Sequence, residues 1–341
     1  MAETVGPLLS LVMTKFAYFC GHEQFHPETL VNHARLAEDA GFDGLVISEH
    51  FHPWVDDLGA SGFAYSTIAA MAQATEKVEL TTGVTTPLFR YHPGVVAQAA
   101  ATIDRISGGR FNLGVGTGEN INEGPLGYEF PAYAERAARM REALEIMRRL
   151  LDGEKLTFEG KYYQTDRAKL YSPPISAVPI WMAAGGPKSA ALAAEMAEGI
   201  ITSVKVPQET MSQVIDPARL AADKVGRPHP KISASRWTIF AANEDEAWHS
   251  LGAWRGLRAP GRLEAVDPAD LRARADEMPR QEILSRYSIV SSAEEIVEVY
   301  RPLIEEVGAD TVTLQLTGPD QEKLIAMLGA EVLPALRKIA G

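Results

Sequence analysis

The chain has 341 residues, 46% of them hydrophobic, which allows one large domain with a sizeable core and excludes a disordered composition. Its formal net charge of −12 opposes nucleic-acid binding, because a phosphate backbone needs a basic face. The single cysteine, Cys20, excludes an intrachain disulfide and suits a reducing, cytoplasmic compartment. No apolar run reaches the length of about 18 residues that a membrane-spanning helix needs.

The apolar run from Pro7 to Met13 follows Glu3, lacks a basic flank and stops at Lys15. It reads as a lead-in to the first strand and not as a signal peptide. Short β-rich runs then alternate with longer segments of helical period. The predicted strands are Thr14–Phe19, Gly44–Ser48, Val78–Thr85, Phe111–Gly116, Pro179–Ala184, Gly199–Ser203, Ile232–Ala241 and Thr311–Leu316. Helices are predicted to begin near Pro27, Gly62, Pro93, Ala132, Pro187, Pro207, Asn243, Ala293 and Asp320, several marked by proline in the first turn or a capping Asn, Ser or Asp. Strands alternating with helices imply a parallel sheet, and the count of eight favours closure into an α/β fold of the (β/α)8 TIM-barrel type. A barrel of roughly 250 residues plus insertions makes one domain of residues 1–341.

Two stretches break the rhythm. Residues 152–172 contain LTFEGKYYQ, read as a small hairpin turning at Glu159-Gly160, an insertion after strand 4. Residues 256–287 are polar and rich in arginine, an insertion between strands 7 and 8. Excursions of this kind lie over a barrel's site or at a subunit contact.

In a barrel the chemistry comes from the loops that follow the strands. Those loops read CGHEQFHP, SEHFHPW, GVTTPLFRYHP, GVGTGENINEG, AAGGPKS and TSVK, so Glu23, Glu49, His50, Trp54, Glu119, Asn122 and Lys205 converge on one mouth. The set offers a base, acids, an aromatic wall and a cation. GVGTGEN fails the strict dinucleotide fingerprint, because Glu119 follows Gly118 and the motif follows a fourth strand. Gly185 and Gly186 before Pro187 can cradle an anion on free N–H groups, or form an ordinary turn. His22, His26, His50 and His52 do not make a metal site, since neighbours along a strand point opposite ways and no cysteine joins them. Alone, His50 could equally be a hydrogen-bonded structural histidine, Trp54 a packing residue, and Lys205 and Arg286 solvated surface charges.

GHEQF, SEHFHPW, TTPLFRYHPGVVAQAAATID, GRFNLGVGTGENINE, IWMAAGGP and ITSVK together resemble the luciferase-like (β/α)8 superfamily. Within it they resemble the branch of deazaflavin (coenzyme F420)-dependent glucose-6-phosphate dehydrogenases. The resemblance runs from about Lys15 to Arg337. It implies coenzyme F420 as cofactor, with a non-proline cis peptide at Gly83–Val84 behind the ring. Glu49, Thr86, Asn122, Ala183 and Ala184 would line the cofactor, and Gly185 and Gly186 would reach its phosphate. His50 would be the general base, Glu119 an acid near the ring, and Trp54 and Glu23 further substrate-side residues. Lys205, Arg262 and Arg286 would hold the phosphate of a sugar phosphate. The resemblance also implies a homodimer.

Two departures stand out. Glu49 replaces the usual Asp, and Arg262 stands where the relatives use Lys, trading a point charge for a bidentate fork. The expected reaction is oxidation of a sugar 6-phosphate at C1 to the lactone. Its rivals are an F420-dependent secondary alcohol dehydrogenase, an FMN-dependent monooxygenase and a non-catalytic deazaflavin-binding protein.

Overall fold

The computed structural model describes residues 13–341. The apolar run from Pro7 therefore lies outside the described residues, save Met13. The strands are β1 (Lys15–Cys20), β2 (Gly44–Ile47), β3 (Glu79–Thr82), β4 (Phe111–Val115), β5 (Leu156–Glu159), β6 (Gln164–Ala168), β7 (Ile180–Ala183), β8 (Gly199–Ser203), β9 (Lys231–Phe240), β10 (Ser288–Val290) and β11 (Thr311–Thr317). Eight of them pair in parallel in the order β9-β11-β1-β2-β3-β4-β7-β8, and β8 pairs back to β9. The sheet thus closes into the expected barrel.

The strands are short and buried because both faces are covered. All four residues of β2 are buried, and Leu45 and Ile47 are fully so. Helices such as Pro27–Asp39 and Pro93–Ser107 lay small and branched residues against the barrel: Ala34 and Ala37 from the first, Val96, Ala97 and Ala100 from the second. Each fully buried aliphatic side chain contributes about 1.5–3 kcal/mol. At β3 and β4 the backbones approach so closely that a Cβ on Gly114 would stand 1.8 Å from the Thr82 carbonyl oxygen. Thr82 Oγ1 instead bridges the gap, donating to the Gly114 carbonyl and accepting from its N–H, both at 2.8 Å.

Three places add detail to the sequence expectation. The third strand ends at Thr82 and not Thr85: the Gly83–Val84 peptide is cis, and Thr85 rejoins β4 by a single bridge to Val115. The hairpin forms between β5 and β6, and its turn is organised from outside. Glu142, on the helix Tyr133–Leu151, accepts the N–H groups of Lys161, Tyr162 and Tyr163. The excursion after β9 is helical, with turns at Gly252–Arg258, Pro268–Asp276 and Arg280–Leu284, and it ends in β10, which extends the sheet beside Thr238–Phe240.

That excursion carries its own apolar cluster, including Trp254, Leu257, Leu271, Ile283 and Tyr287, which closes on Trp54 and Ile121 from the barrel loops. Gly256 makes the approach possible, since a Cβ there would meet the Trp54 carbonyl at 1.9 Å. Polar ties add to it: Asn120 Nδ2 donates to the Glu264 carbonyl at 2.8 Å, and His52 Nδ1 lies 3.1 Å from the Val266 carbonyl. The excursion is therefore a roof fixed to the loops after β2 and β4.

Candidate active site

Under the roof, at the C-terminal ends of the strands, lies a cavity of about 610 Å³. Its walls come from loops around the barrel, as a closed sheet requires. Glu23, Glu49, His50 and Trp54 line one side, and Glu119 and Asn122 follow β4. Gly83, Val84, Gly116, Ala183 and Ala184 form a wall with little side-chain relief. Gly185 and Ser189 lie at one end, with Tyr133 and Arg136 from the adjoining helix, and Arg258 and Arg262 descend from the roof.

His50 is held in one orientation. Its Nδ1 lies 2.9 Å from the His52 carbonyl oxygen. A carbonyl only accepts, so Nδ1 carries the proton of the neutral ring and Nε2 presents a lone pair. That Nε2 lies 3.4 Å from Glu23 Oε1 and 3.8 Å from Glu119 Oε2, with the Trp54 ring 4.9 Å from the imidazole. Glu23 is buried and accepts the Ser48 hydroxyl. One imidazole nitrogen between two carboxylates can receive a proton and pass it on.

Glu49 does not stand free in the wall. Arg90 Nη2 reaches both of its oxygens, each at 2.5 Å, and Arg90 Nη1 reaches Glu123 Oε1 at 2.5 Å. Burial pushes the Glu123 carboxyl up despite the guanidinium beside it. Arg90 itself is lowered by burial but raised on balance by Glu49 and Glu123, so it stays charged.

His22 is a structural residue. Its ring nitrogens lie 2.8 Å from the Ser48 carbonyl and 3.0 Å from Thr67 Oγ1, and burial pushes its pKa down. Among the described residues no three His, Cys, Asp or Glu side chains cluster as a metal ion would require.

At the far end, Gly186 caps the helix Pro187–Met196 in extended conformation, with no side chain satisfying the first N–H groups. A Cβ on Gly185 or Gly186 would meet nothing within 4 Å, so both face open space. Such a helix start is suited to an anion.

The luciferase-like monooxygenase family model matches residues 10–311. The chain belongs to that family. An F420-dependent glucose-6-phosphate dehydrogenase of Nakamurella multipartita is 36% identical over 332 residues, covering 96% of this chain and 98% of the relative. One of the same description from Intrasporangium calvum is 37% identical over 333 residues, covering 95% and 99%. The solved structure of an F420-dependent secondary alcohol dehydrogenase in complex with an F420-acetone adduct superposes with a TM-score of 0.89 at 31% identity, covering 95% of this chain and 99% of that one.

Against this family background, the barrel brings most of the singled-out residues to one cavity: Glu23, Glu49, His50, Trp54, Gly83, Val84, Thr86, Glu119, Asn122, Ala183, Ala184, Gly185 and Arg262 all line it. Gly186 sits just behind, at the helix start. Lys205 and Arg286 do not line it. Lys205 is exposed. Arg286 donates to the Arg258 carbonyl and to Glu282, each at 2.8 Å. Arg262 reaches the cavity but pairs with Glu119 and lies 5.8 Å from the Trp54 ring.

The reading from sequence missed Arg258, which lines the cavity beside Arg262 and stacks 5.2 Å from the Tyr287 ring. Burial pushes the Tyr287 hydroxyl up to about 12, against the pull of Arg258, Arg262 and Arg286 around it. Arg136 and Tyr133 were missed as well, and so were Arg90 and Glu123. Arg90 and Glu123 lie inside motifs that already stood out, RYHP and GVGTGENINE, but a charge in a single sequence carries no mark of burial.

Proposed function

We propose that this chain is a coenzyme F420-dependent dehydrogenase that oxidises a sugar 6-phosphate, glucose 6-phosphate foremost, at C1 to the lactone. The observation that carries the reading is His50: its Nε2 lone pair lies between Glu23 and Glu119 in a cavity also lined by Gly83, Val84, Gly116 and Ala183. The residues suit the cofactor. The wall of Gly83, Val84, Gly116 and Ala183 offers a planar ring room to lie flat, and the open cradle at Gly185 and Gly186 takes its phosphate. Bound there, the deazaflavin supplies the hydride acceptor.

The chain's own groups supply position and proton transfer. Glu49, Thr86 and Asn122 line the cofactor; Asn122 Oδ1 accepts the Phe51 N–H at 2.8 Å, which leaves its amide N–H groups to donate. His50 Nε2 takes the proton of the C1 hydroxyl, and Glu23 stabilises the imidazolium that results. Glu119, 3.8 Å from His50 Nε2, is the acid assigned near the reacting atoms. Trp54, 3% exposed, keeps water from them. Arg262 and Arg258 stand where a phosphate remote from C1 would lie. Lys205 and Arg286, which the resemblance would add, can contribute only if they move inward.

A secondary alcohol dehydrogenase reading rests on the same hydride logic. It is favoured by one observation: Arg262 is already paired with Glu119 and Lys205 stands off the cavity, so the phosphate clamp is incomplete as it stands. The test is loss of deazaflavin absorbance with a panel of sugar phosphates, free sugars and secondary alcohols. Turnover of glucose 6-phosphate far above glucose supports the lead reading, and turnover only of simple alcohols replaces it. Tight FMN binding with oxygen-dependent turnover would install a monooxygenase instead, and deazaflavin binding without turnover a binding protein.

We place the enzyme in the cytoplasm as a homodimer. The lone cysteine is buried and unpaired, and Phe63 and Val95, at the starts of neighbouring helices, expose apolar surface along one groove. Light scattering that gives the mass of two chains supports the dimer, and a single-chain mass refutes it.

A further inference from the structure

Arg90 ties three loops of the mouth together. Glu49 follows β2, Arg90 follows β3 and Glu123 closes the helical turn Asn120–Glu123 after β4. The three side chains are 3%, 5% and 0% exposed, and Arg90 does not line the cavity. The Tyr91 hydroxyl donates to Glu49 at 3.3 Å, and the Tyr91 ring lies 4.9 Å from the guanidinium.

What hangs on these ties is the imidazole. Glu49 is the chain neighbour of His50. Glu123 is the neighbour of Asn122, whose Oδ1 accepts the N–H groups of Phe51 and His52. The His52 carbonyl in turn accepts from His50 Nδ1. The ring is therefore gripped from both sides by segments that one guanidinium joins. As a stability device the cluster is poor, because two buried carboxylates share one cation and desolvation offsets much of the attraction. We propose that Arg90 is the positioning residue of the reaction: by bridging Glu49 and Glu123 it fixes the tautomer of His50 and aims Nε2 between Glu23 and Glu119. This rests on His50 as the base.

The experiment follows the ring nitrogens of His50 by NMR in the cofactor-free protein, so it stands apart from the identity of the cofactor. Wild type, Arg90→Lys and Glu123→Gln are compared. Lysine keeps the charge but as a point it cannot hold both carboxylates. Wild type should show a single Nδ1–H tautomer. Both variants should show mixed tautomers and a displaced titration midpoint. In parallel, Arg90→Lys should lower kcat about 100-fold per folded molecule, the size expected of a misplaced catalytic group. Guanidinium ion should restore part of the turnover of Arg90→Ala. If the Ala variant does not fold, the Lys and Gln variants decide. An unchanged tautomer and midpoint in both folded variants, or a kcat loss fully explained by the unfolded fraction, overturns the proposal.

Discussion

Arg262 Nη1 lies 2.5 Å from Glu119 Oε1, so a residue of the roof closes on the carboxylate that follows β4. The pair is partly exposed, with side chains 32% and 26% accessible, and both residues line the cavity. An anionic substrate of the proposed kind would compete with Glu119 for the guanidinium. Binding of such an anion would then release Glu119, which lies 3.8 Å from His50 Nε2.

The roof arginines, and not Lys205, should therefore set phosphate affinity. Each charge-assisted contact is worth about 1.5–3 kcal/mol, so Arg258→Ala is expected to raise KM for glucose 6-phosphate about 10- to 150-fold. Its kcat should change less, because a remote phosphate contributes mainly uniform binding. Arg262→Ala should raise KM similarly and also alter kcat, since it frees Glu119. Lys205→Ala should leave KM unchanged. Steady-state kinetics with glucose 6-phosphate and with glucose read all three, and a large effect at Lys205 with none at Arg258 reverses the assignment.

His50→Ala should lower kcat by about 10²- to 10⁴-fold, the range for loss of a general base. The pH profile of kcat/KM should lose the limb on which the imidazole titrates. Near wild-type turnover in this variant would remove His50 from the role.

The Gly185 cradle admits a test that separates binding from folding. A Cβ at Gly185 would meet nothing within 4 Å, so Gly185→Val should leave the melting temperature near that of wild type. It should nonetheless weaken deazaflavin binding by about tenfold or more, ~1.4 kcal/mol per factor of ten, because the added methyl groups occupy the anion's place. A fluorescence titration checks it, and equal affinity in the two proteins moves the phosphate elsewhere.

A prediction away from the site concerns Glu38. Its carboxylate accepts the N–H groups of Glu76, Lys77 and Val78 at 2.7–3.1 Å, fixing the turn before β3. Burial pushes the carboxyl up, but the three N–H donors and Arg110 hold it below the ordinary value on balance. A lowered folded pKa means that the stabilisation is complete above the ordinary carboxylate range and fades as pH falls through the folded value. Glu38→Ala should thus cost about 1–3 kcal/mol at pH 7. The gap from wild type should close as the solution is acidified below about pH 4. Urea unfolding at a series of pH values measures it, and a gap independent of pH refutes the ionic origin.

The barrel was legible because its signals are local and repeated. Strands such as Gly44–Ile47 and Ile180–Ala183 are apolar throughout, and prolines at 27, 93, 187 and 207 mark helix starts where the chain in fact turns helical. Asn243, Ser292 and Asp320 cap helices through their side chains, as their types suggest. Once the strand ends are known, the barrel's geometry sends the following loops to one mouth, and that is why His50, Glu119 and Trp54 could be grouped from sequence. The hairpin turn was only half legible: Gly160 marks it, but Glu142, which holds its N–H groups, lies 18 residues earlier on a helix.

What the sequence alone determined, then, is the α/β barrel, the loops that meet at its mouth and, by resemblance, the family. Period, capping and motif are properties of neighbouring residues. What only the tertiary structure decided is which charges are buried together. Arg90 finds Glu49 41 residues away, and Arg262 finds Glu119 143 residues away. Arg258 turns into the cavity while Lys205, two residues beyond β8, stays exposed. A charged side chain on its own is best left in water, so its sequence position argues for the surface. Burial becomes affordable only when folding sets an opposite charge against it from a distant loop, and that pairing exists in three dimensions alone.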